Sequence, residues 1–422
     1  YTAGENGGGL FVLLYLLSIV CIALPVLIAA VSLGRHTGKN PVGAFDSIKP
    51  GSGWKLVGYL GVGTGVMILS FYAVIAGWTV GYFYKAVSGQ LNAISNETAP
   101  KIFATFAGDT VMQIGLLALF IVLTIFIVSR GVSGGIEIFS KVMMPVLFVI
   151  LLVLLIRSLT LKNAVDGLKY YLQPDISKIN FKIAVNALGQ AFFSLSLGMG
   201  TMITYGSYLK KKEDLLSSSL WIALFDTGIA ILAGLIIFPA IFSQNMDPAG
   251  GPGLVFQVLP VIFAKMPGGY IFGSLFFALL MIAALTSSIS MLEVPVSFVI
   301  DEKRVDRKKA AYLIGGIALV FAIPSALSEK FLTTMNYIWG NLSLSIGALC
   351  IALFVAYIWK TEKALLELSH GSKLLNHPEG GKGFFEYKKN RKMLLWQFSL
   401  KYIVPVFIVV ILVGIIFLGL DF

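Results

Sequence analysis

Four places in this sequence set oxygen-bearing side chains inside long apolar runs, where a polar group is costly unless it meets a partner. The first is the run Gly189-Gln190-Ala191-Phe192-Phe193-Ser194-Leu195-Ser196-Leu197-Gly198-Met199-Gly200-Thr201. Two hydroxyls and two glycines stand at its middle. Each glycine costs a helix about 1 kcal/mol relative to alanine, so Gly198-Met199-Gly200 favours an unwound turn. Unwinding frees backbone carbonyls and amides, which then need partners such as ions or a bound solute. Close helix packing through small residues is the competing reading. The second place is Ala283-Ala284-Leu285-Thr286-Ser287-Ser288-Ile289-Ser290. Hydroxyl oxygens are hard ligands suited to a small alkali cation, but Thr and Ser can equally bond back to the carbonyl four residues earlier. The third is Asp226, a carboxylate inside Leu220–Ile229 that calls for a cation or a watery cavity. Glu293 is similar but nearer the end of its run, so a structural hydrogen bond competes there. The fourth is Tyr72, deep in its span, whose phenol needs a hydrogen-bond partner.

Hydrolytic and redox chemistry find no support. His36, His370 and His377 fall between apolar runs, with no carboxylate or cysteine at ligand spacing, and no nucleophile elbow, HExxH or P-loop occurs. Cys21 and Cys350 lie in apolar runs and read as buried small hydrophobes rather than a disulfide or metal pair. Neither a re-entrant filter segment nor a charged ring points to a channel.

The elements that must position these groups are membrane helices. The 422 residues are 57% hydrophobic and 13% charged, against about 25% charged in a soluble domain. Apolar stretches of 18 residues or more recur, each able to cross a hydrocarbon core of about 30 Å. They show no period-2 alternation, which excludes a barrel and leaves helices. Ten spans are expected, near 10–33, 56–84, 110–129, 138–158, 187–208, 215–243, 270–299, 310–327, 332–358 and 398–420. The basic residues set the orientation. Most of the 32 Lys and Arg gather on one side if the loop holding Arg35 and Lys39 is cytoplasmic, joined by Arg130, Lys141, Lys210–Lys212, Lys303–Lys309 and the segment between Lys360 and Lys401. The net charge of +11 is then orientation, not nucleic-acid binding. The chain starts and ends outside on this reading, which anticipates one further helix ahead of Tyr1.

These segments together resemble the neurotransmitter:sodium symporter family, in particular its bacterial amino-acid transporter branch. The resemblance rests on Glu5-Asn6-Gly7-Gly8-Gly9, Gly34-Arg35, Gly134-Gly135-Ile136-Glu137, Gln190-Ala191-Phe192-Phe193-Ser194-Leu195-Ser196-Leu197-Gly198 and Leu285-Thr286-Ser287-Ser288. It implies an all-α membrane fold, the leucine-transporter-type five-plus-five inverted repeat. Residues 1–158 would be the remainder of the first repeat, 187–358 the second, and 398–420 an additional helix, all in one transporter domain over 1–422. The sequence opens where the family's Trp-Arg-Phe-Pro-like motif would end, so the visible spans read as family helices two to eleven.

The resemblance also implies a site. Ser194 and Asp226 match the first sodium site, and Ala283, by its carbonyl, Thr286 and Ser287 match the second. Tyr72 matches the tyrosine that binds the substrate carboxylate, and Phe193 the aromatic lid. Ile68, Ser196, Gly198, Met199, Ser287, Ser290 and Met291 would line the substrate pocket. Tyr208 and Asp301 match the cytoplasmic gate, and Asn336 stands where the outer gate usually has an aspartate. Tyr15, Gln190, Ser194 and Ala230 occupy chloride-site positions of other members, where Ala230 removes an anion ligand and Asp226 brings a fixed charge.

The implied activity is sodium-coupled, chloride-independent import of an L-amino acid, large and neutral or aromatic, across the plasma membrane, in a bacterium the inner membrane. Amino acid, two sodium ions and lipid are the expected partners, with no nucleic acid. Both sodium sites would be incomplete without the preceding helix, so this chain alone is expected to bind neither ion nor substrate well. A truncated or degenerate non-transporting member is the alternative.

Overall fold

The structure is a computed structural model that describes residues 2–244, 246–247, 254–372 and 391–418. Tyr1, His377, the basic residues between 373 and 390, and the terminal Leu420-Asp421-Phe422 lie outside the described residues. Among the described residues the regular elements are all helical. In chain order they are α1 (Gly9–Thr37), α2 (Pro41–Ile48), α3 (Lys55–Val87), α4 (Ala99–Gly108), α5 (Thr110–Ser129), α6 (Val132–Leu159), α7 (Ala164–Leu172) and α8 (Phe181–Ser194). There follow α9 (Thr201–Ser207), α10 (Leu215–Ser243), α11 (Leu259–Lys265), α12 (Gly269–Lys303), α13 (Arg307–Leu327), α14 (Glu329–Ile358), α15 (Thr361–Ser369) and α16 (Met393–Phe417).

Nine of these helices are long and apolar enough to cross a membrane, among the described residues. The tenth expected span, 187–208, is two pieces, α8 and α9, separated by an unwound stretch. Helices α3 and α12, of 33 and 35 residues, reach about 50 Å at 1.5 Å per residue. That exceeds a hydrocarbon core of about 30 Å, so they tilt or protrude.

Polar caps mark where helices begin. Asn40 accepts from Val42 and Gly43 amides at 2.9 and 3.1 Å, Asp109 from Met112 at 3.0 Å, Asn180 from Ile183 at 2.9 Å and Asp214 from Ser217 at 3.1 Å. Each satisfies an amide that has no partner inside its own helix.

The apolar side chains form three cores. One joins α1, α8, the end of α14, α15 and α16. A second joins the middle of α3 with α5, α12 and α13. A third joins the end of α3 with α4, α6, α10, α11 and the start of α12. The unwound stretch lies on the seam between the first two, because Leu195 and Leu197 pack into one and Met199 into the other.

Helices α1 and α9 meet backbone to backbone. A Cβ at Gly34 would sit 1.9 Å from the Ile203 carbonyl oxygen, and one at Gly206 would sit 2.3 Å from that of Val31. The cysteines differ from the sequence expectation. Both are free, but Cys21 is exposed on its helix and Cys350 half-buried, because these positions face away from the packed stripes of α1 and α14.

Candidate functional site

The chain stops being helical after Ser194 and resumes at Thr201. Ser196, Gly198 and Gly200 all have positive φ, at 52°, 88° and 81°. Glycine takes that conformation freely, whereas serine is strained by it. Positive φ therefore appears two residues before the glycines that signal the break in the sequence. Neighbours hold it tightly. A Cβ at Gly198 would fall 2.1 Å from the Leu344 carbonyl oxygen, and one at Gly347 would fall 2.2 Å from that of Gly198. Both close packing and unwinding, weighed as rivals for these glycines, are present together.

Ser194, the last residue of α8, donates a short hydrogen bond to Asp226 Oδ2 on α10. The buried Tyr15 of α1 donates to Ser194 Oγ at 3.3 Å. Three helices thus converge on one half-buried carboxylate beside the broken helix. Gln190, one turn before Ser194, is half-buried, and Ala230, one turn after Asp226, is exposed.

The hydroxyl cluster of α12 divides by direction. Ser288 is buried and shares a 2.9 Å bond with Thr124 of α5. Ser287 faces the other way, toward the hydroxyl of Tyr72 on α3. Thr286 donates back to the Ala283 carbonyl, three residues earlier, at 2.8 Å, a local bond of the kind anticipated as the competing reading. That bond places a hydroxyl oxygen and a carbonyl oxygen side by side. Ile68, Met199 and Met291 are buried in the second core, with Tyr72 and Phe193 packed against it. Ser196 and Ser290 are half-buried and Gly198 is buried. Residues from α3, the break and α12 that lie far apart in sequence thus share one apolar surround.

Below this region, Tyr208 donates to Glu293 Oε1 at 2.5 Å. Arg307 clasps the same carboxylate with both terminal nitrogens, at 2.6 and 2.8 Å. Such paired contacts are strong and directional. Asp301 does not join them. It accepts from the backbone and side-chain nitrogens of Asn40 at 3.0 and 3.2 Å, at the start of α2. The two expected gate residues are therefore held by different partners. Asn336 lies near the start of α14, with its side-chain oxygen against Gly340.

Sequence reasoning missed one buried charge cluster. Arg35 and Glu367 are 0% and 2% exposed and meet at 2.8 Å. Arg35 also donates to the carbonyls of Glu213, at 2.7 Å, and Glu367. Lys211 Nζ and His36 Nδ1 lie 2.9 and 3.1 Å from Glu367 Oε2. Burial alone would raise the Glu367 carboxyl. The hydrogen bonds from His36 and Lys211 and the charges of Lys211 and Arg35 outweigh it and hold the group at about 2. Glu293 was visible as a carboxylate in an apolar run, and Arg307 follows it by 14 residues. Glu367 gave no such signal, since its partners are up to 332 residues away.

A broken helix thus stands beside a half-buried carboxylate in an apolar helix, and α12 carries a cluster of hydroxyls near Tyr72 and Thr124. The model of the sodium:neurotransmitter symporter family matches residues 1–100 and 104–419. The chain belongs to that family. This transporter, which is not an enzyme, is 36% identical over 99% of its length to a sodium-dependent transporter of Bacillus subtilis, covering 92% of that protein. It is 34% identical over 98% of its length to another from Haemophilus influenzae, again covering 92% of the relative. The crystal structure of MhsT in complex with L-phenylalanine superposes with a TM-score of 0.88 at 39% identity, covering 98% of this chain and 93% of that one. The all-α, five-plus-five inverted-repeat fold of a multi-pass sodium-dependent membrane transporter follows.

Proposed function

We propose that this symporter imports a large neutral or aromatic L-amino acid together with sodium, without chloride. The observation that carries the reading is the Tyr15–Ser194–Asp226 chain beside the unwound stretch. A carboxylate at membrane depth needs a positive partner, and a co-transported Na⁺ supplies it. Its fixed charge takes the place of an anion, while Ala230 withholds a ligand that chloride would need.

The donor set suits the cargo. Ser194 and Asp226 offer hydroxyl and carboxylate oxygens to a first sodium ion. The Ala283 carbonyl, Thr286 and Ser287 offer oxygens to a second. Each ion takes further oxygens from the segment that the family places ahead of Glu5-Asn6-Gly7-Gly8-Gly9. The substrate carboxylate meets Tyr72, and its side chain lies among Ile68, Phe193, Met199 and Met291, flanked by Ser196, Gly198, Ser287 and Ser290. None of these residues carries a charge, which favours apolar side chains. The MhsT complex with phenylalanine, at 39% identity, supports that class.

Coupling follows if the substrate carboxylate completes the first sodium position, because each then raises the affinity of the other. Alternating access is a rocking of one repeat's helices against the other's, with 1–158 in the first repeat, 187–358 in the second and 398–420 outside both. Tyr208 and Asp301 close the cytoplasmic side. Asn336 closes the outer side by a neutral hydrogen bond. The basic ends of α1, α12 and α14 face the cytoplasm of a bacterial inner membrane, which puts the C-terminus outside.

The test is uptake of labelled L-phenylalanine by proteoliposomes holding the full natural chain. Uptake is expected to require an inward sodium gradient and to persist when gluconate replaces chloride. Asp226→Asn should weaken apparent sodium affinity about tenfold or more, the loss expected for a charge-assisted contact. A chloride requirement in the wild type would overturn the charge-balance role of Asp226. Leucine, tryptophan and tyrosine should compete with the label, whereas aspartate and lysine should not.

A further inference from the structure

Two tyrosines, Tyr205 on α9 and Tyr208 capping its end, meet α12 in the same register. The Tyr205 hydroxyl lies 2.8 Å from Ser290 Oγ, and Tyr208 donates to Glu293 at 2.5 Å. The members of each pair stand three residues apart on their own helix, so each helix presents one face. The partner numbers rise together, so the two helices run side by side in the same direction. These are two rungs between the short helix after the break and the long helix that carries the hydroxyl cluster.

The rungs differ in what lies behind them. Behind Tyr208 stand Glu293 and Arg307, well away from the unwound stretch. Behind Tyr205 stands Ser290, whose hydroxyl also donates to the Thr286 carbonyl at 3.3 Å. Thr286 in turn donates to the Ala283 carbonyl. Hydrogen bonds thus link α9 through Ser290 to the backbone of Thr286, the residue whose hydroxyl is proposed for the second sodium ion, and Met291 beside Ser290 lies in the apolar surround of Met199.

We infer that Tyr205 is a positioning residue that couples occupancy of the substrate and second-sodium positions to closure of α9 against α12, acting through Ser290. This rests on the proposed function above. Opening toward the cytoplasm must carry α9 away from α12, which breaks both rungs. Substrate and sodium that hold Ser290 and Thr286 in place keep the Tyr205 rung made. Their departure lets Ser290 turn and frees the rung. Tyr208 adds strength to the closure but has no such path to the site.

The experiment uses the full natural chain with Cys21 and Cys350 replaced by alanine. A reporter cysteine is placed at Ser297, which is buried on the same face of α12 two turns beyond Ser290. Its labelling by a membrane-impermeant maleimide from the cytoplasmic side is read with and without sodium plus L-phenylalanine. In the parent, the ligands are expected to slow labelling. In Tyr205→Phe, labelling with ligands bound should rise about fivefold, the effect of losing one net hydrogen bond, and the ligand dependence should shrink. Phenylalanine KM and the half-saturating sodium concentration should rise by a similar factor while the maximal rate is kept. Ser290→Ala should reproduce the labelling effect, the double variant should label no faster than either single one, and Ser290→Thr should label as the parent does. Tyr208→Phe should speed labelling equally with and without ligands.

Labelling and KM within twofold of the parent in Tyr205→Phe, or additive effects in the double variant, would overturn the coupling. A rung that is structural only would lower thermal stability without changing the ligand dependence, and that result also overturns it. Failure of the parent to transport phenylalanine would count against the proposed function instead. The labelling response to sodium alone then decides the coupling through Thr286.

Discussion

Helix α9 has two faces, and they are built differently. Toward α1 it packs backbone on backbone at Gly34 and Gly206. The end of that contact is pinned by Arg35, Lys211 and Glu367. Toward α12 it is held by hydroxyl and carboxylate rungs at Tyr205 and Tyr208. The first contact has no room for water and cannot slide without collision. The second is made of groups that water can satisfy equally well once they part, so its net contribution is small. The contrast supports the proposal that α9 moves with α1 and separates from α12.

The largest effect is expected at the pinned end. Glu367→Ala leaves the charge of buried Arg35 without its carboxylate partner, a loss of about 3–5 kcal/mol. Thermal unfolding of the detergent-solubilised protein should fall accordingly at neutral pH. The same group makes a pH prediction. Its carboxyl is held at about 2, below the ordinary range near 4.3. Its stabilisation is therefore full above that range and is lost as pH falls toward about 2. The gap in stability between wild type and Glu367→Gln should narrow between pH 5 and pH 3, and a constant gap would contradict the assignment.

Next is the glycine contact. Gly206→Val forces side-chain atoms into the Val31 carbonyl, and overpacking of this kind costs about 1–3 kcal/mol. Stability should fall, and transport should slow because α9 is pushed off α1. An unaltered melting curve would break the claim that this face is rigid. The α12 face should respond far less in stability. Tyr208→Phe removes one hydrogen bond while Arg307 still pairs with Glu293, so a loss of about 1 kcal/mol is expected, read as faster labelling of a cytoplasmic cysteine. A change of similar size is Asn40→Ala, which removes the α2 cap and the side-chain bond to Asp301 but keeps the backbone one. Cap losses are typically about 1 kcal/mol, and a drop larger than that of Gly206→Val would reverse the ranking.

Much of this could be read from the chain before any coordinates. Apolar run lengths specify membrane helices, since nothing else hides a backbone from lipid. The break in 187–208 shows in Gly198 and Gly200, because those residues are poor in a helix wherever they occur. That it begins right after Ser194, with Ser196 at positive φ, does not show, since serine has no local preference for that conformation. Asp226 announces itself because a carboxylate in an apolar run is costly. Its contact with Ser194 entered only through the resemblance, and the structure places the two in direct hydrogen bond.

What the sequence by itself determined is the set of helices, the position of the break and the polar groups that demand partners. All of these follow from local cost. Only the tertiary structure decided who the partners are. Glu367 finds Arg35 and Lys211, Tyr205 finds Ser290, and Asp301 finds Asn40 rather than Tyr208. Those pairings depend on which helix faces pack together, and a single sequence carries no local energetic term that distinguishes one distant partner from another.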